Sequence, residues 1–323
     1  MKILVTGAAG FIGSNFVEYI LKNTDYDIVG IDNLQAGSKI LDDVIHKLLI
    51  DYPKRFLFCQ NDIKNINEIG FVGIDVVFHF AATPRVAYSV EHLLDSHNNN
   101  VTNSLTLLEW CKNNHVKKFV FSSSSSVYGN VDRFPTDETE FLNPESPYAL
   151  QKKIIEEYCR MYSSLYGLDT VCLRYFNVYG ENQYAENAYS TVICAWSKSY
   201  ADKTSPRLDG DGLQSRDFTY VKDVCLANYI VGSSNDVFNG EAFNVGCGKN
   251  TSLLKIKEIF EKISGLKLPV INTPKRLGDV RKTHADIFKL KLMGYDTSIS
   301  IESGVKRTFE WYKSKMQNNG KQD

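Results

Sequence analysis

The sequence predicts an α/β fold: a doubly wound parallel sheet with a smaller C-terminal substrate-binding lobe. Two observations carry this expectation. Short β-branched or aromatic runs at residues 2–6, 27–31, 75–80, 118–122 and 169–175 alternate with longer segments of helical period at 13–23, 101–114 and 148–166; such alternation reads as βαβ units. The runs are apolar throughout, as strands buried beneath helices on both faces must be. From about residue 178 the rhythm loosens into a polar stretch (181–189) and a Gly-rich turn (209–212), then resumes near Phe218. Helical segments at 253–264 and 301–315 flank a Pro- and Lys-containing connection. The expected division is a dinucleotide-binding domain over 1–177, with part of 218–246 returning to it, and a substrate lobe over 178–323, with no flexible linker between them.

The first strand runs into Thr6-Gly7-Ala8-Ala9-Gly10-Phe11-Ile12-Gly13. Between a strand and a helix, glycines let the backbone turn tightly, approach a pyrophosphate and offer it the N–H groups of the helix start, here Phe11, Ile12 and Gly13. This is the Rossmann-type arrangement, although the spacing G-x-x-G-x-x-G differs from G-x-G-x-x-G and no P-loop lysine follows. The second strand ends in Asp32-Asn33, nineteen residues beyond Gly13. A carboxylate there accepts hydrogen bonds from an adenosine ribose and repels a 2′-phosphate, favouring NAD over NADP; a strand-end turn or helix cap would also suit Asp32. Two more strand ends face the same crevice. Asp62-Ile63 lies where adenine would sit, and Phe80-Ala81-Ala82 supplies small residues where backbone must come close to the cofactor. His79 has no metal-spaced partner, so packing or a loop hydrogen bond is its expected role.

The run from Ser122 to Ser126 follows the strand at 118–122 and reads either as a polar loop or as part of a site. Pro147 then opens a helix that carries Tyr148 and Lys152 four residues apart, on one face. A tyrosine with an ordinary pKa of about 10 is a poor base, but an adjacent ammonium and a positive nicotinamide ring favour its phenolate. Such a phenolate takes a proton from a hydroxyl while hydride leaves the carbon.

Composition narrows the classes. The net charge of -1 supplies no basic field for nucleic acid or anionic lipid. The seven cysteines are scattered, without a C-x-x-C pair; this suits a reduced, cytoplasmic chain, with the thiols as small buried hydrophobes. No signal-like or membrane-spanning stretch is expected, and no metal site.

Taken together, the motifs resemble the extended short-chain dehydrogenase/reductase family, and within it the NAD-dependent nucleotide-sugar 4-epimerases. The resemblance runs along nearly the whole chain: the glycine turn, Asp32, Asp62-Ile63, His79-x-Ala81-Ala82, Ser122 to Gly129, Tyr148-x-x-x-Lys152, Arg174-Tyr175-Phe176-Asn177, Arg216-Asp217-Phe218 and Arg276-x-Gly278-Asp279. It implies Ser124 as the catalytic serine, Tyr148 as base, and Lys152 as holder of the nicotinamide ribose. Ser122, Arg85, Asn100 and Tyr175 fall where relatives meet the cofactor; at Arg85 several relatives have lysine. Asn177, Arg216, Arg276, Asp279 and Thr283 would surround a UDP-sugar, the arginines clamping its diphosphate. The implied activity is that of an isomerase: transient oxidation at C4, rotation of the 4-keto sugar about its diphosphate linkage, and return of hydride to the other face. Thr283 stands where relatives carry a bulky tyrosine or a small residue. The small option leaves volume for an N-acetyl group, so UDP-GlcNAc/UDP-GalNAc is the expected pair, beside UDP-Glc/UDP-Gal. UDP-glucuronate epimerases and decarboxylases share more of these motifs than the dehydratases, which carry Thr-Asp-Glu where this chain has Ser124-Ser125-Ser126. Relatives also form homodimers, here through 101–114 and 148–166.

Overall fold

A computed structural model describes residues 1–35, 38–184, 191–274, 280–297 and 299–319. Its centre is a seven-stranded sheet. Strands β1 (Lys2–Thr6), β2 (Asp27–Asp32), β3 (Phe56–Gln60), β4 (Val76–His79), β5 (Lys118–Ser124), β6 (Asp169–Tyr175) and β7 (Glu241–Val245) lie in the order β7-β6-β5-β4-β1-β2-β3, each pair parallel. Strand order reverses between β1 and β4, which opens a crevice at the carboxyl ends of the strands, where α/β sheets bind ligands.

Strand periodicity sorts the core into two layers. Ile3 and Val5 face one side with Phe16, Phe78, Val120 and Leu173, whereas Leu4 faces the other with Val77, Phe119, Leu107 and Ile155. On the first side lie helices α1 (Phe11–Asn23) and α5 (Val221–Ser233); on the second lie α2 (Asn103–Asn113) and α3 (Pro147–Tyr166). A third apolar cluster forms the C-terminal lobe around Tyr179, Trp196, Phe218, Tyr220 and Phe260. It is built from α4 (Val192–Ala201), α6 (Leu253–Ser264) and α7 (Ile301–Asn319). Phe11 and Ile12, at the start of α1, pack against this third cluster. The glycine turn is therefore wedged between the two halves.

The structure departs from the periodicity in three places. The helix expected to start at 101 begins at Leu93 and passes through a wide turn at Asn98–Thr102 before continuing as α2. β5 extends two residues past the expected end at 122, so Ser123 and Ser124 are strand residues paired with Arg174 and Tyr175 of β6. The loosened stretch after 178 contains the ordered helix α4.

Candidate active site

Gly7 has φ +67, and a Cβ there would lie 2.7 Å from Ala81 N; a Cβ at Gly13 would lie 2.0 Å from Gly7 O. Only hydrogen fits at either position, so turn, helix and the end of β4 stack backbone on backbone. Gly10 caps α1 without a side-chain hydrogen bond. The N–H groups of Phe11, Ile12 and Gly13 accordingly have no acceptor among the described residues. Asp32 braces the turn, each carboxylate oxygen accepting one backbone N–H: Oδ2 from Ala9 (3.0 Å) and Oδ1 from Leu34 (2.8 Å). Burial pushes its pKa up, opposed by those two bonds. Asp62 accepts from Lys64 N and from Asn33 Nδ2, tying the ends of β2 and β3 together, while Ile63 is buried. Phe80 packs on Phe16 at 5.3 Å between ring centroids, and Ala82 is half-buried beyond Ala81.

His79 is fully enclosed and linked on both sides, at 2.7 Å to Thr6 Oγ1 and 2.8 Å to Ser104 Oγ. Ser104 spends its own proton on Asn100 O. Nε2 of His79 must therefore donate to Ser104, and Nδ1 accepts from Thr6. Burial, with the nearby Lys152 charge, pushes the His79 pKa down to about 3.

Helix α3 starts cleanly: Ser146 accepts from Ala149 N, Pro147 fills the first turn, and Gly167 with φ 70 ends it. Its inward face carries Tyr148, Lys152 and Glu156 at successive four-residue steps, all buried. Burial pushes the Tyr148 phenol up to about 12, with Ser124 as the one opposing influence. The same burial pushes Lys152 down to about 8, opposed by the charge of Glu156. Lys152 Nζ lies 5.8 Å from the Tyr148 ring centroid and donates to Ser122 O at 2.7 Å. Its other two N–H donors have no hydrogen-bond partner among the described residues. Ser124 caps the turn after β5, accepting from Ser126 N and Ser126 Oγ.

Beneath this face lies a polar layer that sequence reasoning missed. Glu156 receives Nε (3.0 Å) and Nη2 (2.7 Å) of Arg174 and the Ser123 hydroxyl. Arg174 reaches on to Tyr128 Oη, and Tyr128 donates to Asn244 of β7. The spacing of Glu156 one turn beyond Lys152 was the available signal. Tyr175 bonds Ser122 Oγ and Asn228, and Asn100 is held by Thr83 and Gln151. Both of these expected cofactor residues are thus committed to protein partners. Arg85, at the start of the Val86–Glu91 helix, keeps its guanidinium without a partner among the described residues.

In the second lobe, Asn177 leaves β6 with φ 30 and is exposed. Arg216 is buried, donating to Ser215 O and Arg281 O. Asp217 accepts three backbone N–H groups, from Cys247, Gly248 and Ala285. The structure brings Asn177, Arg216 and Thr283 together; Arg276 and Asp279 lie outside the described residues.

Residues 3–246 match the model of the NAD dependent epimerase/dehydratase family. The chain belongs to that family. A relative from Methanocaldococcus jannaschii named a putative UDP-glucose 4-epimerase is 36% identical, covering 97% of this chain and 98% of the relative. The UDP-N-acetylglucosamine 4-epimerase of Methanobrevibacter ruminantium, solved with UDP-N-acetylmuramic acid, superposes with TM-score 0.89 at 34% identity, covering 98% of this chain and 99% of that one. The UDP-glucuronic acid 4-epimerase of Bacillus cereus, solved with NAD and a 4-deoxy-4-fluoro sugar nucleotide, gives TM-score 0.89 at 32% identity, covering 97% and 99%. Family membership makes the chain an NAD-dependent enzyme whose relatives are UDP-sugar 4-epimerases. Its own residues fit that cofactor: the open N–H groups of α1 suit a pyrophosphate, Asp32 keeps lone pairs for ribose hydroxyls, and the two spare donors of buried Lys152 suit a second ribose.

Proposed function

We propose that this family member is a UDP-sugar 4-epimerase that interconverts UDP-GlcNAc and UDP-GalNAc and also accepts UDP-Glc and UDP-Gal. The observation that carries the sugar choice is Thr283, a small side chain next to Asn177 (2.9 Å, Oγ1 to Oδ1) on the substrate face of the second lobe. A tyrosine there would fill the volume that an N-acetyl group needs.

The chain's own residues divide the work. Ser124 and Tyr148 meet the C4 hydroxyl, and Tyr148 as phenolate takes its proton while the C4 hydrogen departs as hydride. Bound NAD supplies the acceptor of that hydride and later its donor. Tyr148 then returns the proton to the C4 oxygen after the sugar has turned, so the net change is inversion without net oxidation. Burial holds the phenol near 12, opposed by Ser124, and the positive nicotinamide ring of bound NAD would lower it further. Arg216, with the arginine and aspartate expected at 276 and 279, grips the part of the substrate that does not react. Binding energy spent there lets the sugar rotate freely.

The deciding experiment incubates the enzyme separately with UDP-GlcNAc, UDP-Glc and UDP-glucuronate and identifies products by NMR, for wild type and Thr283→Tyr. The expected result is 4-epimerisation of the first two, with the N-acetyl activity lost in the variant. Turnover of the non-acetylated pair alone, or an unchanged preference in Thr283→Tyr, overturns the sugar assignment. Turnover of UDP-glucuronate alone would favour the second reading, for which the likeness to the Bacillus cereus enzyme speaks.

We also propose a homodimer. The outward face of α3 exposes Leu150, Met161, Leu165 and Tyr166, beside Val90, Leu93 and Leu94, a stripe of the kind that marks an interface. Leu165→Glu with Met161→Glu is expected to halve the mass seen by light scattering.

A further inference from the structure

The Thr283 hydroxyl does more than leave room. Its Oγ1 accepts from Asp217 N at 3.0 Å and donates to Asn177 Oδ1 at 2.9 Å, and it makes no other hydrogen bond among the described residues. A backbone N–H can only donate, so the Thr283 oxygen accepts on that side and its single proton is free for Asn177. With Asn177 Oδ1 turned to receive it, the carboxamide NH2 faces the opposite way. Turned over, the amide would give Thr283 a second donor and leave its proton without an acceptor.

Everything around this pair is fixed. Thr283 N donates to Ser215 O, which lies one residue from Arg216. Asp217 is fully buried and locked by its three backbone donors. Asn177 is held in left-handed backbone, with its carbonyl accepting from Thr219 N. Its Nδ2 has no hydrogen-bond partner among the described residues, and the residue is exposed. One end of the amide is therefore immobilised while the other presents two N–H donors on an exposed residue.

We propose that Thr283 is a positioning residue that orients the Asn177 amide so that its NH2 binds a nucleoside diphosphate oxygen. This rests on the reading of the second lobe as the UDP-sugar site, and it assigns Thr283 a task separate from its size. Valine matches threonine in shape and lacks the hydroxyl. Thr283→Val is thus expected to keep the sugar preference while losing nucleotide affinity.

The test is calorimetric titration of the NAD-loaded enzyme with UDP itself, which has no sugar for a size effect to act on. The panel is wild type, Thr283→Val, Thr283→Ser, Asn177→Ala and the Val/Ala double variant. Asn177 is exposed, and alanine in its left-handed backbone costs only about 1–2 kcal/mol, so this variant folds without touching position 283. The expected result is roughly a ten-fold loss of UDP affinity for Thr283→Val and for Asn177→Ala, no further loss in the double variant, and recovery with Thr283→Ser. In turnover, KM should rise with kcat unchanged. Wild-type affinity for UDP in Thr283→Val or in Asn177→Ala, or fully additive losses in the double variant, overturns the proposal. A wild-type enzyme that fails to bind UDP at all defeats the reading of the lobe itself, and the proposal with it.

Discussion

The proposed catalytic half and the proposed substrate lobe use the same polar chemistry in opposite ways. At the carboxyl ends of β4, β5 and β6, side chains are consumed by one another: His79 by Thr6 and Ser104, Asn100 by Thr83 and Gln151, Tyr175 by Ser122 and Asn228, Glu156 by Arg174 and Ser123. What is left open there is mostly backbone N–H and one lysine. In the substrate lobe the polar side chains around Asn177 and Arg216 hang on strands of two residues, Ser215–Arg216 and Thr219–Tyr220, and an amide is left open to solvent. A saturated network fixes geometry to fractions of an ångström, as proton transfer requires. A lobe with open side chains binds a ligand without dictating its rotation.

The sharpest way to break this contrast is Tyr148→Phe. It removes the proposed proton acceptor and its link to Ser124, so kcat should fall about 10²- to 10⁴-fold while UDP affinity, measured calorimetrically, stays that of wild type. A fall in UDP affinity would mean that the halves are not separable. Next comes Glu156→Gln, which strands the buried Arg174 guanidinium. Loss of about 3–5 kcal/mol in urea unfolding is expected.

A smaller effect tests the catalytic half through pH. Lys152 sits at about 8 in the fold against about 10.4 in an unfolded chain. Between those values the unfolded state holds the extra proton, so raising the pH relieves the cost of the buried charge and stabilises the fold. Measured without added cofactor, wild type should therefore gain up to about 3 kcal/mol relative to Lys152→Met between pH 7.5 and 10. Activity should fall across the same range as the ammonium disappears. The smallest effect belongs to the second lobe: Arg281→Ala removes an exposed ion pair with Asp211, 3.7 Å apart. It should change stability by less than about 1 kcal/mol.

What was legible in the sequence follows the same divide. Strand and helix alternation, the glycine turn and the Tyr148/Lys152 face are local patterns whose spacing is set by backbone geometry, and they stand in the structure where the pattern puts them. The hydrogen bonds from Asn100 to Gln151 and from Tyr175 to Ser122 could not be read, because they span 51 and 53 residues. Ser123 and Ser124 read equally well as loop; pairing with β6 makes them strand, a tertiary effect that overrides the polarity of a serine run. The helix α4 follows the polar stretch at 181–189 and is itself largely apolar; it packs its buried face against α7. In the second lobe, individual residues were legible but not the hydrogen bond between Asn177 and Thr283, which spans 106 residues.

The one-way chain through His79 sets a limit on the conditions this protein survives. Ala81 N–H points to Thr6, Thr6 to His79, His79 to Ser104, and Ser104 to Asn100, so an added proton on the ring would meet a hydroxyl already facing it with its own. The folded ring resists protonation down to about pH 3, whereas an unfolded chain accepts the proton below about 6.5. Each pH unit lost beneath that point removes about 1.4 kcal/mol of folding free energy. His79 thus adds its own share to acid sensitivity, beside carboxylates such as Asp75 that are held below their ordinary range, and His79→Gln is a place to begin reducing it.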